Sequence, residues 1–313
     1  MDDVITIQKT TVERGQQAHI KLAVGRLPSS TGIYIHLHVY RSIHPGPTML
    51  VLGGVHGDEI NGVEIVRRAV SGGMFKELQL GSVIAIPLLN VYGFINFSRD
   101  LPDGKDVNRS FPGNLRGSLA SRVARQLTKK VLPHVDFGID FHTGGRSISN
   151  YPQVRYTKGD RRAEEMARLF DAPVMIAYKT IRKSLRRAGK DNNIPILVYE
   201  AGENLRFDGQ AIDEGLDGLR RLLIGHGMLE GTLSQPKSHE FKKSTWLRAS
   251  KAGIFRWFIP SGNWVQKGDP LGVINDPYGT DETPVLARLD GFIIGHNNSP
   301  VINTGDALFH IAY

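Results

Sequence analysis

Cysteine is absent from the 313 residues. This excludes disulfides and thiolate metal sites, so any metal the chain holds must sit on histidine and carboxylate side chains. Also missing is any apolar run near the roughly 20 residues that cross a bilayer, so no membrane partner is expected. The first stretch, MDDVITIQKT, lacks the basic start and apolar centre of a signal peptide, and a cytoplasmic location is the expectation. Charge is unbalanced at +8, an excess that fits nucleic acid, an anionic surface or a small acidic substrate. A mildly basic protein with no nucleic-acid partner is the plainer reading. What is present, 40% hydrophobic and 22% charged residues, is ordinary for a globular chain long enough for a full core and two domains.

TMLVLGG, SVIAIPLLN, VDFGID, PVMIAY and PILVYE are short apolar runs rich in branched residues, as expected of strands buried on both faces. Amphipathic helices are predicted between them. One carries Ile60, Val63, Val66 and Val70, and a second Leu115, Leu119, Val123, Leu127 and Val131 before Pro133. A third carries Ile212, Leu216, Leu219 and Leu223. Strands alternating with such helices predict an α/β sheet covered on both faces. The early GIYIHLHVYR alternates like a hairpin strand. Beyond GTLSQPKSHE the pattern turns to short strands between Gly, Pro, Asn and Asp turns, so the division falls into residues 1–235 and an all-β region, 236–313. Within the latter, Gly253 matches Gly291, Gly268-Asp269 matches Gly305-Asp306, and Leu271 matches Leu308. This repeat resembles the barrel sandwich of biotinyl and lipoyl carrier domains. No lysine follows Lys267, so the carrier chemistry is not expected.

GGVHGDEINGVEIVRR places His56 and Glu59 directly after a predicted strand, at the carboxyl end where open α/β sheets bind ligands. Alone, His-x-x-Glu is a weak signal, since an acidic residue also suits a helix start. A catalytic zinc usually takes three protein ligands, and VDFGIDFHTGG offers His142 at another strand end. A polar histidine closing a strand would look the same. SRDLPDGKDVNRSFPG carries Arg99, Asn108 and Arg109 on a long helix-poor segment, where an arginine fork and an amide suit a carboxylate, or are simply solvated. Glu200, in ILVYEAGEN, ends an apolar run, where an acidic side chain is costly without a partner or a task. Glu203 is its rival on the following loop.

Taken together, HGDE, DVNRSFPG, DFHT and EAG, in that order, resemble the succinylglutamate desuccinylase and aspartoacylase family, relatives of the zinc carboxypeptidases. The resemblance covers residues from about 50 to 205 and continues into the β region. It implies a mixed, carboxypeptidase-like sheet with helices on both faces, and a catalytic region at 1–235. It further implies one zinc ion on His56, Glu59 and His142, with Glu200 as general base and Arg99 polarising the scissile carbonyl. Asn108 and Arg109 would hold the substrate carboxylate. The implied reaction is amide hydrolysis of an N-acyl amino acid, by a chain that can be a homo-oligomer.

Which acyl group is removed is not legible. The basic run TIRKSLRRAGK reads as a solvated face, with Arg186 reaching a pocket as the functional alternative. Tyr278 reads as a turn residue rather than a contributor to the site. Two other classes stay open, a carboxypeptidase-type peptidase using the same metal and clamp, and a non-catalytic binding protein working through its β region.

Overall fold

The computed structural model describes residues 4–313. The apolar runs become the strands Thr48–Gly53, Ser82–Ile86, Phe137–Gly144, Val174–Tyr178 and Ile196–Glu203. Four of them lie side by side and parallel, in the order 82–86, 48–53, 137–144, 196–203. Antiparallel strands extend the sheet at both ends: Gly32–Arg41 and Gln17–Arg26 beyond 82–86, and Ile148–Thr157 beyond 196–203. The result is a mixed sheet, as the resemblance implies.

Both faces are covered because alternate residues of each buried strand need apolar partners on opposite sides. Helices Ile60–Ser71, Arg161–Phe170 and Gly209–Gly225 pack Ile65, Val66, Met166, Phe170 and Leu219 against one face. Helices Leu119–Lys130 and Leu185–Asp191 pack Val123, Leu127 and Leu185 against the other.

The second predicted helix starts one turn later than its apolar spacing suggests. Leu115 is 60% exposed, and Ser118 caps the helix by accepting from the Ser121 amide. The preceding turn holds Gly113 at φ +78, where an added Cβ would lie 2.2 Å from the Ser121 carbonyl oxygen. Three helices were not legible in advance, the short Val91–Ile95 among them. Arg161–Phe170 is capped by Asp160, and Leu185–Asp191, capped by Ser184, arises from within the basic run.

After Gly225 only strands and turns follow among the described residues. The repeated glycines open the strands Gly253–Trp257 and Gly291–Asn297, and the repeated leucines, Leu271 and Leu308, are fully buried in one cluster. These strands are not hung on a linker. Gly291–Asn297 pairs antiparallel with 148–157, and His239–Phe241 pairs parallel with 174–178. One hydrogen-bond ladder therefore runs from the α/β region into the C-terminal strands. No helix among the described residues is long and apolar enough to cross a membrane.

Candidate active site

The chain runs from strand 48–53 to 82–86 on one side and later returns to 137–144 on the other, leaving a crevice at the carboxyl ends of strands 48–53 and 137–144. Such a reversal of strand order is where open α/β sheets place their ligands. His56 enters it from the turn after the first strand, and His142 lies near the end of the second. The turn is tight. Gly54 adopts φ +59, and a Cβ on Gly62 would meet the Phe141 carbonyl oxygen at 2.3 Å. The close approach of helix 60–71 to the sheet that this glycine permits delivers Glu59, the residue at the helix N-cap, to the two histidines.

His56, Glu59 and His142 are all buried. The Nδ1 atoms of His56 and His142 each lie 2.7 Å from a Glu59 oxygen and 3.2 Å from one another. Ligands of a tetrahedral zinc, about 2.0–2.1 Å from the metal, stand roughly 3.3 Å apart. The outer nitrogens are engaged elsewhere: His142 Nε2 lies 2.8 Å from Asp140 Oδ2, and His56 Nε2 lies 3.2 Å from Asp106 Oδ1. With Nε2–H donating to a carboxylate, each ring turns its Nδ1 lone pair toward the shared centre. Two imidazoles and a carboxylate converging in a buried space can be balanced by a proton or hold a metal ion, and the donor set fits zinc.

The electrostatics show the same demand. Burial alone would pull His142 down, but Asp140 and Glu59 outweigh it and hold its imidazolium well above the usual range. His56 is likewise raised against burial, by Glu59 and Asp106. For Glu59 burial pushes upward, yet the two histidines hold the carboxyl well below the usual range. Arg99 adds positive charge, with Nη1 donating to Glu59 Oε1 at 3.1 Å and Nη2 to Asp106 Oδ2 at 2.9 Å.

These groups form one end of a cavity of about 390 Å³ that also contains Asn108, Arg109 and Glu200. The seven residues to which the resemblance gives a role in the site therefore line one cavity. Glu200 stands in direct register with His142 on the neighbouring strand. Its carboxylate accepts from Arg155 Nη1 and from Asn150 Nδ2, both at 3.0 Å. A bulge separates it from Glu203, which instead accepts from Asn298 Nδ2 at 2.8 Å and is not part of the cavity wall. Asn108 Oδ1 accepts from the Leu185 amide at 2.9 Å, which leaves its NH2 group to donate. Arg109 is exposed, beside it at the cavity edge.

Several contributors escaped sequence reading. Asp140 looked like one more residue of an apolar strand, although its position two residues before His142 puts both side chains on one face. Asp106 opens the motif DVNRSFPG but was given no role. Asn150 and Arg155 lie on an antiparallel strand whose pattern drew no notice. The solvated-face reading of the basic run is wrong for one of its basic residues: Arg186 is only 8% exposed and lines the cavity, with Nη2 donating to the Lys179 carbonyl. Burial, then the nearby Arg155, lower its pKa to about 10. Tyr278 is 86% exposed, away from the cavity wall. The C-terminal residue that does line it is Trp246, whose ring stacks on His310 with centroids 4.3 Å apart.

Comparison with known proteins agrees with this geometry. Residues 45–225 match the family described as the succinylglutamate desuccinylase/aspartoacylase catalytic domain. The chain is 28% identical to the N-alpha-acetyl-L-2,4-diaminobutyric acid deacetylase of Halomonas elongata, over 95% of this chain and 91% of that protein. Its fold is similar to that of the ectoine utilization protein EutE (DoeB) from Ruegeria pomeroyi, with TM-score 0.87, 24% identity and coverage of 100% of this chain and 99% of that one. The succinylglutamate desuccinylase/aspartoacylase of Rhodobacter sphaeroides is similar too, with TM-score 0.83, 25% identity and 95% of each chain covered. With more than half of its length matched by the family and the family's motifs gathered around one cavity, the chain belongs to the succinylglutamate desuccinylase/aspartoacylase family.

Proposed function

We propose that this protein is a zinc-dependent deacylase that hydrolyses the amide bond of an N-acyl amino acid. The observation that carries the reading is the register of Glu200 beside His142, which sets a carboxylate next to the His56–Glu59–His142 cluster inside one cavity. The deacetylase of Halomonas elongata supports the reaction class. His56, Glu59 and His142 would hold the ion, with Asp106 and Asp140 keeping both Nδ1 lone pairs directed inward. When bound, zinc supplies Lewis acidity and makes water a nucleophile near neutral pH.

The remaining work falls to the chain's own groups. Glu200, fixed from two sides by Arg155 and Asn150, accepts the proton of the attacking water and passes it to the departing amine. Arg99 faces the charge that develops on the carbonyl oxygen. Asn108, through its free NH2, and Arg109, through its guanidinium, hold the α-carboxylate and so fix the amide against the cluster. A cavity of about 390 Å³ falls within the small-molecule range, which favours a single N-acylated amino acid over a peptide. The C-terminal region from 236 onward acts in this reading as a wall of the site, through Trp246, and the chain works in the cytoplasm.

The test is hydrolysis of a panel of N-acyl amino acids, their carboxamides and short peptides by the zinc-loaded protein. Release of free amino acid from one or more N-acyl amino acids, with carboxamides poor, is the expected result. Equal rates on acid and carboxamide, or turnover of peptides alone, would overturn it.

A further inference from the structure

At the edge of the sheet, on the hairpin formed by Gln17–Arg26 and Gly32–Arg41, three histidines stand together outside the active site. Register pairs His19 with His38 and Lys21 with His36. The alternation of the strands sends these side chains to the open face, while Ile20, Leu22, Ile35 and Leu37 go to the core. His19 Nε2 lies 2.8 Å from His36 Nδ1, and the rings of His19 and His38 stack with centroids 4.7 Å apart and planes 10° from parallel.

We propose that His19, His36 and His38 form a second binding site, for a divalent late-transition-metal ion of the nickel, copper or zinc class. Two ring nitrogens 2.8 Å apart can face one another only by sharing a proton, and a cation in that proton's place uses both lone pairs. The third ring, half-buried His38, lies stacked on His19 and joins the ion by turning out of that stack. Three imidazoles with one open position are a known zinc donor set. Imidazole suits zinc, copper and nickel, whereas calcium and magnesium require oxygen ligands.

The surroundings keep His36 and His38 available as ligands. Burial first, and then His19 and Lys21, lower the pKa of His36; burial, His19 and His36 do the same for His38. Both rings therefore offer lone pairs at neutral pH. The same surroundings limit affinity. His56 and His142 each have a carboxylate on the outer nitrogen, and groups of that kind are worth about 10- to 100-fold in metal affinity. On the hairpin, the neighbour within the same face is Lys21. The hairpin site should thus fill after the buried cluster. Once filled, it ties the edge strand Gln17–Arg26 to its neighbour and stabilises the folded chain by mass action.

The test is titration of the zinc-loaded full chain with nickel chloride, counting bound nickel and following the melting temperature. The wild type should bind one equivalent more than His36→Ala and than His36→Gln, and its melting temperature should rise with nickel while those of the variants do not. Deacylation should be the same in all three. Equal nickel binding by wild type and His36→Gln, or a nickel-induced rise in melting temperature that survives both substitutions, would overturn the proposal.

Discussion

Replacing Asp140 by Asn separates two effects of opposite sign on the proposed metal site. Asp140 is buried, its Oδ2 takes the His142 Nε2 proton at 2.8 Å, and its Oδ1 has no hydrogen-bond partner. An asparagine has two ways to sit there. If its NH2 turns toward His142, Nε2 becomes an acceptor, the ring proton moves to Nδ1, and the atom meant for the ion is blocked. If its oxygen stays on Nε2, the NH2 occupies the place of Oδ1 as a buried donor without a partner, at a cost of about 1–3 kcal/mol in stability. Either way the carboxylate charge behind the imidazole is lost, a change that typically weakens metal binding about 10- to 100-fold, or roughly 1.4–2.7 kcal/mol. Against this runs proton competition. Asp140 is among the groups that raise His142, so its neutralisation would release the proton more readily and favour the metal. Competition for zinc with a chelating dye decides between them. Weaker zinc binding, with activity largely recovered in excess zinc, is the expected outcome. Unchanged or tighter binding would refute the claim that Asp140 acts by setting the tautomer and basicity of His142.

Further outcomes follow from the same geometry. Glu200→Gln should keep zinc and lower kcat by about 100- to 10,000-fold, the usual worth of a positioned base, whereas Glu203→Gln, whose partner is Asn298, should stay close to wild type; the reverse pattern in steady-state kinetics would overturn the assignment. Arg109→Ala should retain zinc but lose most of the preference for a free α-carboxylate over its carboxamide, roughly 10- to 150-fold in kcat/KM for one charge-assisted pair. Removing zinc with a chelator, or substituting His56→Ala, should abolish activity while circular dichroism still shows a cooperative melt, because the two apolar clusters flanking the sheet do not depend on the ion. In the metal-free protein the raised His142 contributes stability that is fully present below its ordinary 6.5 and lost as pH rises through the higher folded value. The melting temperature of the metal-free form should therefore fall on the alkaline side relative to the zinc-loaded form, and parallel pH profiles would count against the coupling.

Periodicity and motif order were enough for the parts of this protein that local chemistry dictates. Branched apolar runs pointed to buried strands, the i, i+3 and i+4 spacing of Ile212, Leu216, Leu219 and Leu223 to one buried helix face, and the absence of cysteine restricted any metal to histidine and carboxylate ligands. Motifs at strand ends likewise pointed to His56, Glu59, His142 and Glu200, because the carboxyl ends of such strands share one edge of the sheet. What the chain order could not show is which strands become neighbours. Glu200 is drawn beside His142 by pairing across 58 residues of chain, and its partners Asn150 and Arg155 come from an antiparallel strand that is itself paired with Gly291–Asn297. Arg186 belongs to a run that looks solvated, and only the packing of helix Leu185–Asp191 against the sheet turns that one arginine inward while Arg187 stays exposed. Asp140 and Asp106 gain their meaning from a histidine nitrogen 2.8 and 3.2 Å away. A hydrogen bond depends on separation in space and not along the chain, so these contacts existed only once the sheet had brought its distant strands together.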